Sequence, residues 1–125
     1  VAFNHDSTIL ATGAATKDKT IKIWDISTGK CVKNLTGHTR AIGYLAFRKD
    51  NKTIFSASSD HTIKIWSVSD GKCLRTIQEH NARIRQLALN SENTLIASSS
   101  DDQTIKIWNI ILVNANNLCR GIVIV

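Results

Sequence analysis

Two sets of histidine, serine and aspartate recur along the chain with the same spacing. The first set is His38, Ser56 and Asp60, and the second follows 42 residues later as His80, Ser98 and Asp102. These are the residue types of a nucleophilic catalytic triad. An enzyme needs its nucleophile once, whereas a structural device is needed in every copy of a repeated unit. The duplication therefore favours a structural network, with a hydrolytic site as the alternative.

Both sets belong to a tandem repeat. The heptad DKTIKIW at residues 18–24 returns as DHTIKIW at 60–66 and as DQTIKIW at 102–108, and the heptads end in the chain's three tryptophans, Trp24, Trp66 and Trp108. Across one whole period, residues 31–72 and 73–114 agree at 15 of 42 positions, where random composition gives roughly three. A fixed period of this length indicates a repeat architecture.

The elements that position these residues are predicted to be strands. Short apolar runs alternate with turn residues, and no segment has the i, i+3, i+4, i+7 spacing of an amphipathic helix. The predicted strands cover residues 1–3, 8–13, 20–26, 30–35, 41–47, 53–58, 62–68, 72–77, 83–89, 94–99 and 104–110, with 118–125 as a further candidate. Four strands per unit, joined by tight turns, predict an all-β fold with one antiparallel sheet per repeat. Beyond Trp108 the pattern fails, and residues 111–125 are an atypical tail.

Composition restricts the class of protein. With 42% hydrophobic and 21% charged residues, the chain is typical of a soluble globular protein, and its apolar runs are too short to span a bilayer. Three cysteines do not form a disulfide framework. Cys31 and Cys73 occupy equivalent places in successive units, so we interpret both as reduced thiols of a cytoplasmic or nuclear protein. No CxxC or HxxxH pair occurs, so we expect no metal and no cofactor.

Three features of the repeat match a known pattern. These are the Gly37-His38 pair before a strand, the run SASSDHTIKIW at residues 56–66, and the Trp24-Asp25 dipeptide. Together they resemble the WD-repeat (WD40) β-propeller family. The chain departs from that pattern where Ser67 and Asn109 follow the second and third tryptophans, where Glu79 stands in place of a glycine, and in a loop before Asp18 that is two residues longer than its counterparts.

The resemblance implies a partial propeller. Each repeat would form one four-stranded blade, with blade one at residues 1–36, blade two at 37–78 and blade three at 79–125. A typical ring has 4–8 blades, so about three blades make an incomplete ring. We therefore expect a fragment whose missing blades belong to its parent chain. By itself it should be poorly soluble or should assemble through its exposed blade faces.

The same resemblance gives the triad-like residues a structural function. It implies that Trp66 donates to Ser56, that Ser56 bonds His38, and that His38 bonds Asp60. The equivalent residues of blade three are His80, Ser98, Asp102 and Trp108. In blade one the histidine is absent, and strand alignment places Thr12 in the serine position beside Trp24, which leaves Asp18 without its histidine.

A binding surface is also implied, on the rim where the channel-lining strands begin. The rim positions carried over from the family are Ala41, Gly43 and Ser59 in blade two, and Arg83, Arg85 and Asp101 in blade three. Arg40, in the adjoining blade two, adds a third positive charge beside the two arginines of blade three. In a regular strand, residues i and i+2 point to the same side, so the guanidinium groups of Arg83 and Arg85 are expected to converge. Arginines suit carboxylate or phosphate groups, which favours an acidic or phosphorylated peptide. The alternative is that Arg83 merely pairs with Asp101 within the blade.

The function that these observations favour is a non-enzymatic protein–protein interaction scaffold. The net charge of +6 and the pI of about 9.5 leave a nucleic-acid or ribonucleoprotein component as one alternative. The regularity of the repeats leaves the sensor array of a larger signalling NTPase as another, although the chain itself has no GxxxxGK[ST] motif. No membrane partner is expected.

Overall fold

The computed structural model describes residues 1–14 and 17–111 and the backbone of residues 122–124. The described residues form strands and turns. The strands are β1 (Ala2–Phe3), β2 (Ile9–Gly13), β3 (Ile21–Asp25), β4 (Cys31–Leu35), β5 (Ile42–Phe47), β6 (Thr53–Ser58), β7 (Ile63–Ser67), β8 (Cys73–Ile77), β9 (Ile84–Leu89), β10 (Leu95–Ser100), β11 (Ile105–Asn109) and β12 (Ile122–Ile124). The all-β prediction is confirmed. The described part of the chain contains no helix with the length and apolarity that a bilayer crossing requires.

The strands form three antiparallel sheets, each built from four strands in chain order. We call them sheet one (β1–β4), sheet two (β5–β8) and sheet three (β9–β12). The register repeats with the sequence, because Leu10 lies opposite Trp24, Ile54 opposite Trp66, and Ile96 opposite Trp108. The repeated heptad therefore supplies the third strand of every sheet.

Two apolar cores hold the sheets face to face. The first joins sheets one and two and contains Ala11, Ile21, Ile23, Leu35, Ile42, Leu45, Phe47, Ile54, Trp66 and Val68. The second joins sheets two and three and contains Phe55, Ala57, Ile63, Ile65, Ile77, Ile84, Leu87, Ile96, Trp108 and Ile110. Sheet two is thus covered on both faces, as the apolar residues on both sides of its strands require. Among the described residues, sheets one and three each keep one open face, on which Phe3 and Ile105 are exposed.

Tight turns join the strands and depend on backbone with positive φ. His61 and Gln103 adopt it between the second and third strands of their sheets, and Asn51 and Asn93 adopt it between the first and second. The side chains of histidine and asparagine tolerate this conformation better than most, because they bond locally to the backbone. Gly71, with φ 73°, lies in the turn that joins the third and fourth strands of sheet two.

The first strands of sheets two and three contain a β-bulge. Ile42 lies opposite Ser58 and Tyr44 opposite Ala57, so Gly43 is the extra residue. Arg85 is its counterpart, between Ile84 and Gln86. The regular alternation expected for residues 83 and 85 is therefore wrong, because an inserted residue interrupts the period of two.

The atypical tail is only partly described. Residues 122–124 pair with β11, with Ile124 opposite Ile105, so a fourth strand of sheet three lies inside the predicted range 118–125. The rest of that range, including Cys119, lies outside the described residues.

Candidate functional site

Four elements of one sheet bring the triad-like residues together. In sheet two, His38 precedes β5, Ser56 lies in the middle of β6, Asp60 lies in the turn after β6, and Trp66 lies near the end of β7. Ser56 and Trp66 occupy neighbouring antiparallel strands at positions that face the same side, because Ile54 is the residue directly opposite Trp66. The repeat of 42 residues places the second set identically in sheet three.

The distances describe a continuous hydrogen-bonded chain. Trp66 Nε1 donates to Ser56 Oγ at 2.8 Å, Ser56 Oγ lies 2.7 Å from His38 Nε2, and His38 Nδ1 lies 2.7 Å from Asp60 Oδ2. All partners are satisfied when Nδ1–H donates to the carboxylate and the serine hydroxyl donates to Nε2. The His38 ring also meets the edge of Trp66, with 5.9 Å between ring centroids.

Sheet three repeats this geometry. Trp108 Nε1 donates to Ser98 Oγ at 3.1 Å, Ser98 Oγ lies 2.7 Å from His80 Nε2, and His80 Nδ1 lies 2.8 Å from Asp102 Oδ2. Every buried side-chain nitrogen and oxygen in the described residues has a hydrogen-bond partner. The two networks are therefore complete within the protein.

The aspartates are held ionised by several donors. Burial opposes ionisation of Asp60, but the His38 ring, the Thr62 hydroxyl and the Thr39 N–H all donate to its carboxylate and lower its pKa far below the usual value. Burial also opposes ionisation of Asp102. Hydrogen bonds donated by Thr104, His80 and Asn81 outweigh it and lower the pKa of Asp102 far below the usual value. These carboxylates tie the turn between the second and third strands to the segment before the first.

Burial decides what the serines can do chemically. Ser56 is 0% exposed and Ser98 is 1% exposed. A serine nucleophile must touch the carbonyl that it attacks, and each of these hydroxyls is already surrounded by its tryptophan, its histidine and the backbone carbonyl of Lys64 or Lys106. The arrangement joins strands and offers no open face to a substrate.

Sheet one carries a reduced version of the network. Trp24 Nε1 donates to Thr12 Oγ1 at 2.9 Å, so the threonine occupies the serine position. Asp18 is not joined to this pair. Its carboxylate accepts from the Thr20 hydroxyl at 2.8 Å and lies 3.1 Å from Lys22 Nζ, which lowers its pKa below the usual value.

At the rim, the structure joins predicted binding residues within each of sheets two and three. Ser59 N–H donates to the carbonyl of Ala41, and Asp101 N–H donates to the carbonyl of Arg83, both at 2.9 Å. The alternative prediction paired Asp101 with Arg83. The structure instead places Asp101 Oδ1 2.6 Å from Arg85 Nε. Arg85, rather than Arg83, thus holds the carboxylate. Donation to Asp101 raises the pKa of Arg85.

Arg40 and Arg83 are both exposed, and Gly43 is exposed at the bulge of β5. The rim of the described residues therefore presents two cations, plus a third that an aspartate already neutralises in part.

Two asparagines that the sequence analysis did not single out connect neighbouring sheets. Asn51 Oδ1 accepts the backbone N–H of His5 at 2.8 Å, and Asn93 Oδ1 accepts that of Lys49 at 2.7 Å. We call these two bonds the inter-sheet clamps. Each asparagine sits in a turn of one sheet and reaches back to the equivalent turn of the preceding sheet. The available signal was an asparagine at the same turn position of two repeats.

Metal chemistry has no donor set in the described residues. They contain no group of three or more histidine, cysteine, aspartate or glutamate side chains that could hold an ion. Cys31 and Cys73 are free and exposed, one on β4 and the other on β8.

Comparison with known proteins follows the repeat. A family model described as "WD domain, G-beta repeat" matches residues 1–25, 29–67 and 71–109. The chain is 41% identical over 58 residues to "Periodic tryptophan protein 2" of Arabidopsis thaliana, and 47% identical over 47 residues to "Nuclear distribution protein PAC1" of Mycosarcoma maydis. These matches cover 46% and 38% of the chain, and 6% and 10% of the respective relatives.

Proposed function

This chain belongs to the WD-repeat (WD40) family, and from that premise we propose that it is a non-enzymatic scaffold that docks other proteins. The observation that carries the proposal is the burial of the duplicated network. Its serines are 0% and 1% exposed and its polar atoms are fully paired, so the residues with catalytic potential are engaged in holding strands together. Function must then come from exposed surface.

The rim of sheets two and three is the docking surface that we propose. Arg40, Arg83 and Arg85 lie there with exposed side chains, beside Ala41, Gly43 and Ser59. Guanidinium groups bind carboxylate and phosphate in a bidentate manner. The Arg85–Asp101 pair is about half exposed, and exposed pairs of this kind contribute little stability. An acidic group on a partner can therefore replace Asp101. The partner class that fits is an acidic or phosphorylated peptide.

A direct binding experiment tests this surface. Fluorescence anisotropy with matched phosphorylated, acidic and neutral peptides compares the wild type with the double variant Arg83→Glu/Arg85→Glu. The control is Lys30→Glu/Lys72→Glu, which makes the same charge change at exposed residues near the opposite end of the sheets. We expect binding to be lost only in the arginine variant. Equal binding by all three proteins contradicts the proposal.

Asp101→Asn gives the opposite change at the same surface. Removing the carboxylate frees Arg85 for a partner, so affinity for the acidic peptides should rise by about two- to fivefold, while the fold is preserved. A fall in affinity excludes Arg85 from the site.

The net charge of +6 supports nucleic acid as a second candidate partner. Phosphate-driven binding weakens steeply as salt rises. A mobility shift with RNA at low salt that disappears at high salt supports this candidate, and no shift at low salt excludes it.

For the compartment we propose cytoplasm or nucleus, because Cys31 and Cys73 are exposed free thiols of a kind that reducing compartments preserve.

A further inference from the structure

The rim of sheets two and three carries side chains of very different size at equivalent positions. Gly43 and Arg85 are the extra residues of equivalent bulges in β5 and β9. Two residues earlier in each strand, Ala41 is the equivalent of Arg83. Sheet two therefore has a hydrogen atom and a methyl group where sheet three has two long cationic side chains. We call the low part of the rim, formed by Ala41, Gly43 and Ser59, the recess.

Neither packing nor backbone conformation requires a glycine at residue 43. A Cβ added at Gly43 would meet no atom within 4 Å, and the residue is exposed. The other glycines of residues 1–14 and 17–111 differ, because Gly13 has no room for a methyl group and Gly29, Gly37 and Gly71 have positive φ. A glycine without an internal reason is typical of a place where the backbone is approached closely by a ligand.

The floor of the recess is uncharged and largely apolar. Ala41 contributes its methyl group and Gly43 its Cα. The Ala41 carbonyl already accepts hydrogen bonds from the Ser59 N–H at 2.9 Å and from the Ser58 hydroxyl at 2.8 Å. Beside Gly43, the half-buried Tyr44 packs against the core between sheets two and three. Such a floor favours an apolar side chain over a charged one.

An aromatic ring is the apolar side chain that suits an open recess best. Aromatic residues anchor interfaces more often than aliphatic ones, because they bury a large rigid area at a low cost in side-chain entropy. We propose that the recess receives an aromatic side chain from the same peptide whose acidic or phosphorylated group binds Arg83 and Arg85. The proposal rests on the proposed function of the rim and narrows the class of its partner.

The packing of the sheets sets the spacing of the two groups on the peptide. Sheets packed face to face lie about 10 Å apart, and an extended peptide advances about 3.3 Å per residue. Sheets two and three pack in this way through their shared core. The aromatic residue should therefore stand about three residues from the acidic one.

Peptides that differ at one position measure the contribution of the aromatic ring. Fluorescence anisotropy with the full chain compares two phosphoserine peptides, one with tryptophan and one with alanine about three residues away. One such pair places the variable residue before the phosphoserine and a second pair places it after. In one of the two pairs, the tryptophan peptide should bind about five- to tenfold more tightly. Equal dissociation constants within both pairs overturn the recess as a binding site.

Filling the recess tests the same contact from the side of the protein. Gly43→Leu should bring the ratio of the two dissociation constants close to one, and Gly43→Ala should give an intermediate ratio. Val32→Leu is the control, because it adds bulk at an exposed residue of β4, and it should keep the wild-type ratio. None of the three should lower the melting temperature, since each added group enters open space or solvent. An unchanged ratio in Gly43→Leu contradicts the proposal.

The double variant Arg83→Glu/Arg85→Glu separates failure of the recess from failure of the rim. It should weaken binding of the tryptophan and alanine peptides by similar factors, because both carry the phosphate. If it does so while the wild type shows no preference for tryptophan, the recess is refuted and the arginine site stands. If the variant binds both peptides as the wild type does, or the wild type binds neither, the proposed function fails and the recess fails with it.

Discussion

The Ser56 hydroxyl shows how surroundings determine what a residue type does. Together with His38 and Asp60 it forms the hydrogen-bond pattern of a nucleophile, a base and an orienting carboxylate. However, the Ser56 oxygen also accepts a hydrogen bond from the Trp66 indole N–H, at 2.8 Å. A buried indole N–H and a buried imidazole both need partners, and one serine serves both.

Removing members of this network should destabilise the fold in a graded way. Asp60→Ala leaves the His38 ring without its acceptor and should cost about 1–3 kcal/mol. Trp66→Ala removes a ring that is 1% exposed and should cost about 3–5 kcal/mol. Urea denaturation followed by fluorescence or circular dichroism measures both. If the Ser56→Ala variant is as stable as the wild type but has lost a hydrolytic activity, the catalytic interpretation regains support.

Acid should weaken the same network. The pKa values of Asp60 and Asp102 are far below the usual value, so in acid the unfolded chain binds more protons than the folded one. Their stabilisation is therefore fully present above the unfolded pKa of about 3.9 and is lost as the pH falls towards the folded values. Denaturation midpoints should fall below about pH 4. The variant Asp60→Asn/Asp102→Asn should show a flatter dependence, and an unchanged slope would count against this account.

His61 corrects an expectation from sequence. As a neighbour of the network in the sequence, His61 is expected to face solvent, and its replacement by alanine to have almost no effect. Its φ of 73° changes that expectation, because alanine is strained in left-handed backbone and glycine is not. His61→Ala should cost about 0.5–1 kcal/mol, and His61→Gly should be neutral or stabilising. Thermal unfolding of the two variants separates them, and equal melting temperatures would show that φ is irrelevant here.

At the scale of elements, close packing between strands sets a requirement at Gly13. A Cβ added at Gly13 would lie 2.8 Å from Ile42 Cγ2, so the ends of β2 and β5 pack without room for a methyl group. Gly13→Ala should destabilise the protein by about 1–3 kcal/mol. Gly43→Ala is the control, because an added Cβ there meets nothing within 4 Å. Similar denaturation midpoints for the two variants would contradict the packing argument.

Local sequence patterns made the strands predictable. The bulge and the contacts between repeats could not be predicted, because local patterns do not encode them. The heptad and its turns predicted all of β2 to β11 within two residues, because apolar runs and turn residues act locally. The bulge that makes Arg85 the extra residue of β9 was missed, since one inserted residue leaves no mark in apolar alternation. The two His-Ser-Asp-Trp sets could be predicted, because their equal spacing marks the repeat and the resemblance to WD repeats implies their bonds. The clamps of Asn51 and Asn93 could not, because their partners lie in another repeat.

For the whole molecule, stability should depend on the junctions between sheets. Arrays of this type are stabilised by contacts between nearest neighbours, and the Asn93 carboxamide bonds sheet three to sheet two. Asn93→Gly keeps the positive φ but removes the clamp, and should cost about 1–2 kcal/mol. Hydrogen exchange should then accelerate most in β9 to β11.

Asn51→Gly is the matched comparison, with the largest acceleration expected in β2 to β4. Uniform acceleration across all three sheets in both variants would show that the clamps do not act on single junctions.

The direction of the clamps has a consequence for how such a chain can lengthen. The carboxamide oxygen of each asparagine bonds the turn of the sheet before it, so one repeat carries one backbone donor and one carboxamide acceptor. A tandem duplication of 42 codons, wherever its ends fall within the repeat, therefore adds a sheet together with the bond that fastens it. No compensating substitution is needed elsewhere, and the fold is open to growth by single genetic events.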